Sequence, residues 1–146
     1  MTSLQMPKVH KSTLLNREKI INDLGKILKF ENILKHEDEI RPYETDALTA
    51  YRQKPLIVVL PETVKEVSNI LKYCNENKIR VVPRGAGTGL TGGSLPLEDC
   101  VLLGMGKFKA EGLNNKNLVS SYKGSIYYSL SQKFPLIVRQ SENKFV

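Results

Sequence analysis

Glycine and hydroxyl residues are concentrated between positions 83 and 94, in the order Pro-Arg-Gly-Ala-Gly-Thr-Gly-Leu-Thr-Gly-Gly-Ser. Glycine adopts positive φ without steric cost and lets the backbone approach a ligand with no Cβ in the way. Successive amides in such a turn point into one concavity that binds anions. Thr88, Thr91 and Ser94 add hydroxyl donors, and we expect Arg84 to add a positive charge at the mouth of the loop. The stretch therefore predicts a loop that binds pyrophosphate.

Two common nucleotide motifs fit this loop poorly. A Walker loop needs Lys after its last glycine, and here Leu90 and Ser94 follow the candidate glycines. A dinucleotide fingerprint is formally present from Gly87 to Gly92, but that motif must open a helix whose N-terminus holds the phosphate. The segment around Pro96 instead predicts a turn. A flexible glycine loop without a ligand remains the alternative to phosphate binding.

A strand–helix–strand unit lies immediately before the loop and is expected to position it. The apolar, β-branched run at residues 56–60 lies between two prolines and predicts a strand buried on both faces. Thr63 and Glu66 form a capping box, so a helix should follow as far as about residue 77. Residues 79–82 predict a second strand that Pro83 stops, and residues 100–103 predict a third. The buried face of the helix is expected to comprise Val64, Val67, Ile70, Leu71 and Cys74.

The part of the chain before this unit is predicted to be mainly helical. Apolar residues recur at helical spacing across residues 12–35, which predicts one helix with a single apolar stripe. His36 begins a charged stretch that predicts a solvated loop rather than a metal site. Two prolines and the lack of a clear period predict an irregular connection over residues 41–55.

These motifs together resemble a known family. Residues 61–67 (Pro-Glu-Thr-Val-Lys-Glu-Val) and 81–94 resemble the opening of the FAD-binding domain of the vanillyl-alcohol oxidase/p-cresol methylhydroxylase (PCMH) type. Within that family they are similar to the FAD-linked subunit of glycolate oxidase and to D-lactate dehydrogenases. The upstream Tyr-Glu-Thr-Asp at residues 43–46 and Tyr-Arg-Gln-Lys-Pro at residues 51–55 also fit.

The resemblance implies a mixed α/β (α+β) fold, the N-terminal portion of a PCMH-type FAD-binding domain preceded by a helical extension. It also implies a flavoprotein oxidoreductase that acts on 2-hydroxy acids. The residues that it places on the FAD, mainly through backbone around the pyrophosphate, are Pro61, Arg84, Gly85, Ala86, Gly87, Thr88, Gly89, Leu90, Thr91, Gly92, Gly93 and Ser94.

The resemblance is dense over about residues 40–108 and predicts three parts: a helical extension (1–40), a partial FAD-binding domain (41–108) and a divergent tail (109–146). The tail shows no counterpart of the family's substrate domain. We therefore expect a truncated FAD-binding fragment that is inactive alone, with no catalytic residue to name. Two alternatives stay open: a split half that assembles with a second polypeptide, or a small basic interaction protein with a vestigial loop.

Composition excludes several other classes. The net charge is +7, but the lysines are scattered singly and their excess lies at the two ends, unlike the concentrated basic face of a nucleic-acid binder. No run of apolar residues is long enough for a transmembrane segment, and residues 1–11 lack the apolar core of a secretory signal. The two cysteines, Cys74 and Cys100, have no nearby ligand partners. They predict reduced, buried thiols in a cytoplasmic protein without a bound metal.

Overall fold

The computed structural model describes residues 7–47 and 49–108, all within the unit Met1–Lys109. The divergent tail expected at residues 109–146 lies outside the described residues. Single 3₁₀ turns at Phe30–Asn32 and Arg41–Tyr43 supplement the regular elements. In chain order those elements are α1 (Lys11–Leu15), α2 (Arg17–Leu24), β1 (Ile33–Leu34), α3 (Glu37–Ile40), β2 (Ile57–Val59), α4 (Val64–Glu76), β3 (Arg80–Arg84) and β4 (Cys100–Gly104).

The strands form one four-stranded sheet in the order β1-β2-β4-β3. Strands β2, β4 and β3 are parallel, and β1 pairs with β2 in the antiparallel sense. The predicted strand–helix–strand unit is present as β2-α4-β3, with β4 inserted between its two strands. Because β2 and β4 are the central strands, the side chains of both are buried throughout. The mixed α/β fold and the doubly buried strand are thus confirmed.

Helix α4 begins at the predicted capping box. The Glu66 amide donates to Thr63 Oγ1 at 3.2 Å, and the Thr63 amide donates to Glu66 Oε2 at 3.1 Å. The predicted buried face is confirmed at four of its five positions, Val67, Ile70, Leu71 and Cys74. It is wrong at Val64, whose exposed fraction is 60%. Helical side chains lean toward the N-terminus, so a residue at the first position projects past the helix end and not over the sheet.

The single helix predicted over residues 12–35 is wrong. Helix α1 ends before Asn16, whose side-chain amide donates to the Ser12 carbonyl at 2.9 Å, and α2 ends before Gly25. The following turns lead into β1, where Ile33 pairs with Val59. Pairing with β2 extends the sheet and buries Ile33. This tertiary contact overrides the helical period of the apolar residues.

Two further boundaries differ from the prediction. The charged stretch that begins at His36 is exposed, as predicted, but the residues after His36 form helix α3 and not a loop, and the Glu39 carboxylate accepts from the His36 amide at 3.0 Å. Pro83 does not stop β3, which continues to Arg84 and pairs Pro83 with Leu103. Strand β3 is an edge strand of the described sheet, where a proline is tolerated because its missing amide need not face a neighbouring strand.

Candidate functional site

The three parallel strands end at the same edge of the sheet. Their register pairs Val59 with Leu103 and Arg84 with Gly104, so β2, β4 and β3 finish almost level. In open α/β sheets, ligands bind in the crevice beyond the carboxyl ends of the strands. The structure therefore brings the residues that follow β2, which include Pro61, to the same edge as the glycine-rich loop that follows β3. We call this edge the carboxyl edge.

The glycine-rich loop adopts turns that need glycine at two positions. Gly87 has φ 72° and Gly92 has φ 73°, both in the left-handed region. The Leu95 amide donates to the Gly92 carbonyl at 3.1 Å and closes the second turn. No described atom lies within 4 Å of a Cβ built on Gly85, Gly89 or Gly92, apart from the chain neighbours. The loop is therefore an open cradle of backbone that a side chain would fill.

Most of the other predicted loop residues face solvent. Leu90 has an exposed fraction of 70%, Ser94 is half-buried, and the remaining four are exposed: Ala86, Thr88, Thr91 and Gly93. Pro61, by contrast, is fully buried at the end of β2. Most of the loop is thus open to solvent, whereas Pro61 is buried.

The sequence predicts the Arg84 side chain at the mouth of the loop, but the structure places it elsewhere. Its exposed fraction is 9%, and Nη1 donates to the Thr45 carbonyl at 2.7 Å. Its Cζ lies 5.7 Å from the centroid of the Tyr43 ring, a distance at which cation and ring attract. The physical reason is that a partly buried carbonyl and an aromatic face together hold a planar guanidinium better than open solvent does. The expected charge at the mouth is therefore wrong, although the Arg84 backbone still opens the loop.

A second polar group at the carboxyl edge had no sequence signal. Asn32 is fully buried; its Oδ1 accepts from Lys107 Nζ at 2.7 Å, and its Nδ2 donates to Glu62 Oε1 at 3.0 Å. An open cleft of about 320 Å³ is lined by Glu62, Gly106, Lys107 and Phe108. The sequence around Asn32 does not indicate this role, since both partners of its side chain are distant in the chain.

The described residues also bear on metal sites, reactive thiols and membrane-spanning helices. No group of three His, Cys, Asp or Glu residues there could hold a metal ion. Cys74 and Cys100 are both buried, as predicted. Burial, with a smaller contribution from Cys100, raises the pKa of Cys74 to about 12, so its thiol stays protonated and is a poor nucleophile. Within the described ranges, no helix combines the length and apolar character needed to cross a bilayer.

A family model described as FAD binding domain matches residues 55–133, which is more than half of the chain. The match contains β2, α4, β3, the glycine-rich loop and β4, and it continues past Phe108 into the segment for which the resemblance offered no counterpart. The chain belongs to the FAD binding domain family. Its cofactor is accordingly FAD, as the resemblance implied.

Particular relatives agree with this assignment. The chain is 56% identical over 77 residues to the glycolate oxidase subunit GlcD of Escherichia coli (strain K12), covering 53% of this chain and 15% of that protein. It is 43% identical over 68 residues to a putative mitochondrial D-lactate dehydrogenase of Schizosaccharomyces pombe, covering 47% of this chain and 13% of that protein. The structure of p-cresol methylhydroxylase with substrate bound matches with a TM-score of 0.55 and 25% identity, covering 68% of this chain and 19% of that one. The chain thus spans about a seventh of the length of these curated relatives.

Proposed function

We propose that residues 41–108 form the first, pyrophosphate-binding part of the FAD-binding domain of a 2-hydroxy-acid oxidoreductase. The observation that carries the proposal is the open cradle at the carboxyl edge, with positive φ at Gly87 and Gly92. An FAD pyrophosphate fits it, because backbone amides supply donors and no Cβ obstructs the approach of the phosphates. The proposed contacts, mainly through backbone atoms, are Pro61 and the loop residues Arg84, Gly85, Ala86, Gly87, Thr88, Gly89, Leu90, Thr91, Gly92, Gly93 and Ser94.

The substrate class follows from the relatives whose names give one, glycolate and D-lactate. Bound FAD would supply the hydride acceptor for such a 2-hydroxy acid. The chain's own contribution is to hold the pyrophosphate and, through the buried Pro61, to shape the floor beside it. Lys107 and Glu62 line the neighbouring cleft, which makes them further candidates to contact the cofactor.

We further propose that this chain alone does not oxidise 2-hydroxy acids. Turnover needs the flavin within about 3–3.5 Å of the substrate carbon and a base within hydrogen-bond reach of the hydroxyl. The stretch that this chain matches covers only 15% and 13% of the 2-hydroxy-acid relatives reported above. In this proposal the chain is a fragment of such an oxidoreductase. A second polypeptide that completes the domain is the alternative form. The cytoplasm is the proposed location, since no disulfide joins the two buried cysteines.

Cofactor binding is tested by titrating FAD into the purified full chain and following the quenching of flavin fluorescence. The decisive variant is Gly92→Ala, since its Cβ meets no neighbouring atom and only the positive φ is challenged. Because the loop is exposed, alanine relaxes it in the free chain and the strain returns on binding. A left-handed alanine costs about 1–2 kcal/mol, so the Kd for FAD should rise roughly 5- to 30-fold.

The matched control is Gly25→Ala, a glycine outside the loop whose added methyl meets chiefly the exposed Phe30 ring. We expect its Kd for FAD to equal that of the wild type. Equal affinities for all three proteins, or no FAD binding by the wild type, would reject the cradle. Turnover of glycolate or D-lactate with excess FAD and an artificial electron acceptor would reject inactivity, and turnover only after a downstream chain is added would support the two-chain form.

A further inference from the structure

Arg84 connects the glycine-rich loop to a segment far back in the chain, residues 43–47, which we call the anchor segment. Its guanidinium donates to the Thr45 carbonyl at 2.7 Å and lies over the Tyr43 ring. A Cβ built on Gly87 would come within 2.6 Å of Arg84 Cζ, so the guanidinium also packs directly against the first left-handed glycine of the loop. The side chain therefore lies between the anchor segment and the loop.

A second connection joins the same two pieces of chain. The Ala47 amide donates to the Gly87 carbonyl at 2.9 Å. The anchor segment is itself restrained, because the Thr45 hydroxyl donates to the Tyr51 carbonyl at 3.1 Å and the Gln53 amide donates to the Glu44 carbonyl at 2.8 Å. The bond from Arg84 to Thr45 and the bond from Ala47 to Gly87 thus hold the start of an otherwise exposed loop on the anchor segment.

We infer that Arg84 is a positioning residue, which sets the Gly87 turn for the pyrophosphate by docking the loop on the anchor segment, and not a phosphate ligand. This inference rests on the proposed FAD binding. Its basis is the environment of the guanidinium, which is buried, donates to the Thr45 carbonyl and lies over the Tyr43 ring. A phosphate ligand of the usual kind would direct its donors toward the anion.

The anchor is tested first without any cofactor, by amide hydrogen exchange on the full chain. The reporter is the Ala47 amide, whose bond to Gly87 should survive only while the loop is docked. We expect Arg84→Met to lower its protection at least about tenfold, which is about 1.4 kcal/mol of opening free energy. The matched control is Arg80→Met, at the opposite end of the same strand, where Arg80 pairs with Asp99. The control should leave Ala47 protected, and unchanged protection in Arg84→Met would overturn the inference.

Binding of FAD then separates positioning from direct contact. A lysine at position 84 keeps a cation that serves as a phosphate ligand, but it lacks the planar fork that fits between Tyr43 and Gly87. We expect Arg84→Lys and Arg84→Met to raise the Kd for FAD by about tenfold or more, and Arg80→Met to leave it unchanged. Wild-type affinity in Arg84→Lys together with loss in Arg84→Met would identify Arg84 as a phosphate ligand and overturn the inference.

A second variant and a measurement without cofactor cover the cases in which Arg84→Met does not fold or FAD does not bind. If Arg84→Met does not fold, Tyr43→Leu carries the same test, because it removes the ring under the guanidinium and leaves every loop residue in place. It should lower Ala47 protection and FAD affinity together, and a variant with neither change would count against the anchor. If the wild type binds no FAD, the proposed function fails, while the exchange of the Ala47 amide still decides whether Arg84 docks the loop.

Discussion

Gly87→Ala should destabilise the ligand-free chain much more than Gly92→Ala, although both glycines have almost the same φ, 72° and 73°. Holding an alanine in the left-handed conformation costs about 1–2 kcal/mol in the docked Gly87 turn, whereas the exposed Gly92 turn relaxes in the free chain. At Gly92 the new methyl meets open space, whereas at Gly87 it would lie 2.6 Å from Arg84 Cζ. The guanidinium must then leave the Thr45 carbonyl, which costs about 1.5–3 kcal/mol for a hydrogen bond of a charged group.

The total expected for Gly87→Ala is therefore about 2.5–5 kcal/mol, against less than about 1 kcal/mol for Gly92→Ala. Urea denaturation followed by far-UV circular dichroism measures both, and the slope with denaturant shows whether unfolding still exposes the same surface. A loss this large is a substantial part of the stability of a small domain.

A double-mutant cycle assigns the extra cost to the guanidinium. Arg84→Met removes the guanidinium atoms that would lie against a methyl group at position 87. In that background, Gly87→Ala should therefore cost only the backbone strain of about 1–2 kcal/mol. The two changes are then strongly non-additive. Additive losses, or equal losses for Gly87→Ala and Gly92→Ala in the wild-type background, would refute the contact between Arg84 and the loop.

Three other changes test the framework around the site. Thr63→Ala removes the hydroxyl of the α4 capping box and should lower the free energy of unfolding by about 1 kcal/mol, measured by urea denaturation. Burial, followed by the Asp23 carboxylate, raises the pKa of Tyr73 from 10.0 to about 12, so its contribution to stability is complete below pH 10 and is lost as the pH rises through 12. Tyr73→Phe should flatten the stability profile there; an unchanged difference between the two proteins from pH 9 to 12 would contradict this. Asn32→Leu removes the amide that bonds both Lys107 and Glu62, and it should lower the free energy of unfolding by about 1.5–3 kcal/mol. An unchanged free energy of unfolding would show that water replaces the amide.

Elements with local signals were predicted well. Strand β2 was found from a short β-branched run between prolines, and α4 from a capping box, because the groups that form both signals are neighbours in sequence. The glycine-rich loop followed from composition alone. In each case the deciding interaction spans only a few residues, so a single sequence contains all of it.

Elements decided by distant contacts were not predicted. The apolar period through residues 12–35 is real, but Ile33 belongs to a strand because it pairs with Val59. The orientation of Arg84 depends on a carbonyl 39 residues earlier in the chain. The Tyr-Glu-Thr-Asp at residues 43–46 was noticed as part of the family resemblance, yet nothing in its spacing indicates that its backbone would face Arg84.

The same long-range contacts explain why the carboxyl edge needs the first part of the chain. Arg84 and Gly87 contact the anchor segment, and Lys107, three residues beyond β4, contacts Asn32 just before β1. These links reach the edge from both sides of the parallel strands, since β1 lies at one side of the sheet and the glycine-rich loop follows β3 at the other. A cofactor bound across the edge would therefore rest on strand ends whose positions are set by residues that precede β2, and loss of affinity from a change at Asn32 or Tyr43 would not require that either residue touch FAD.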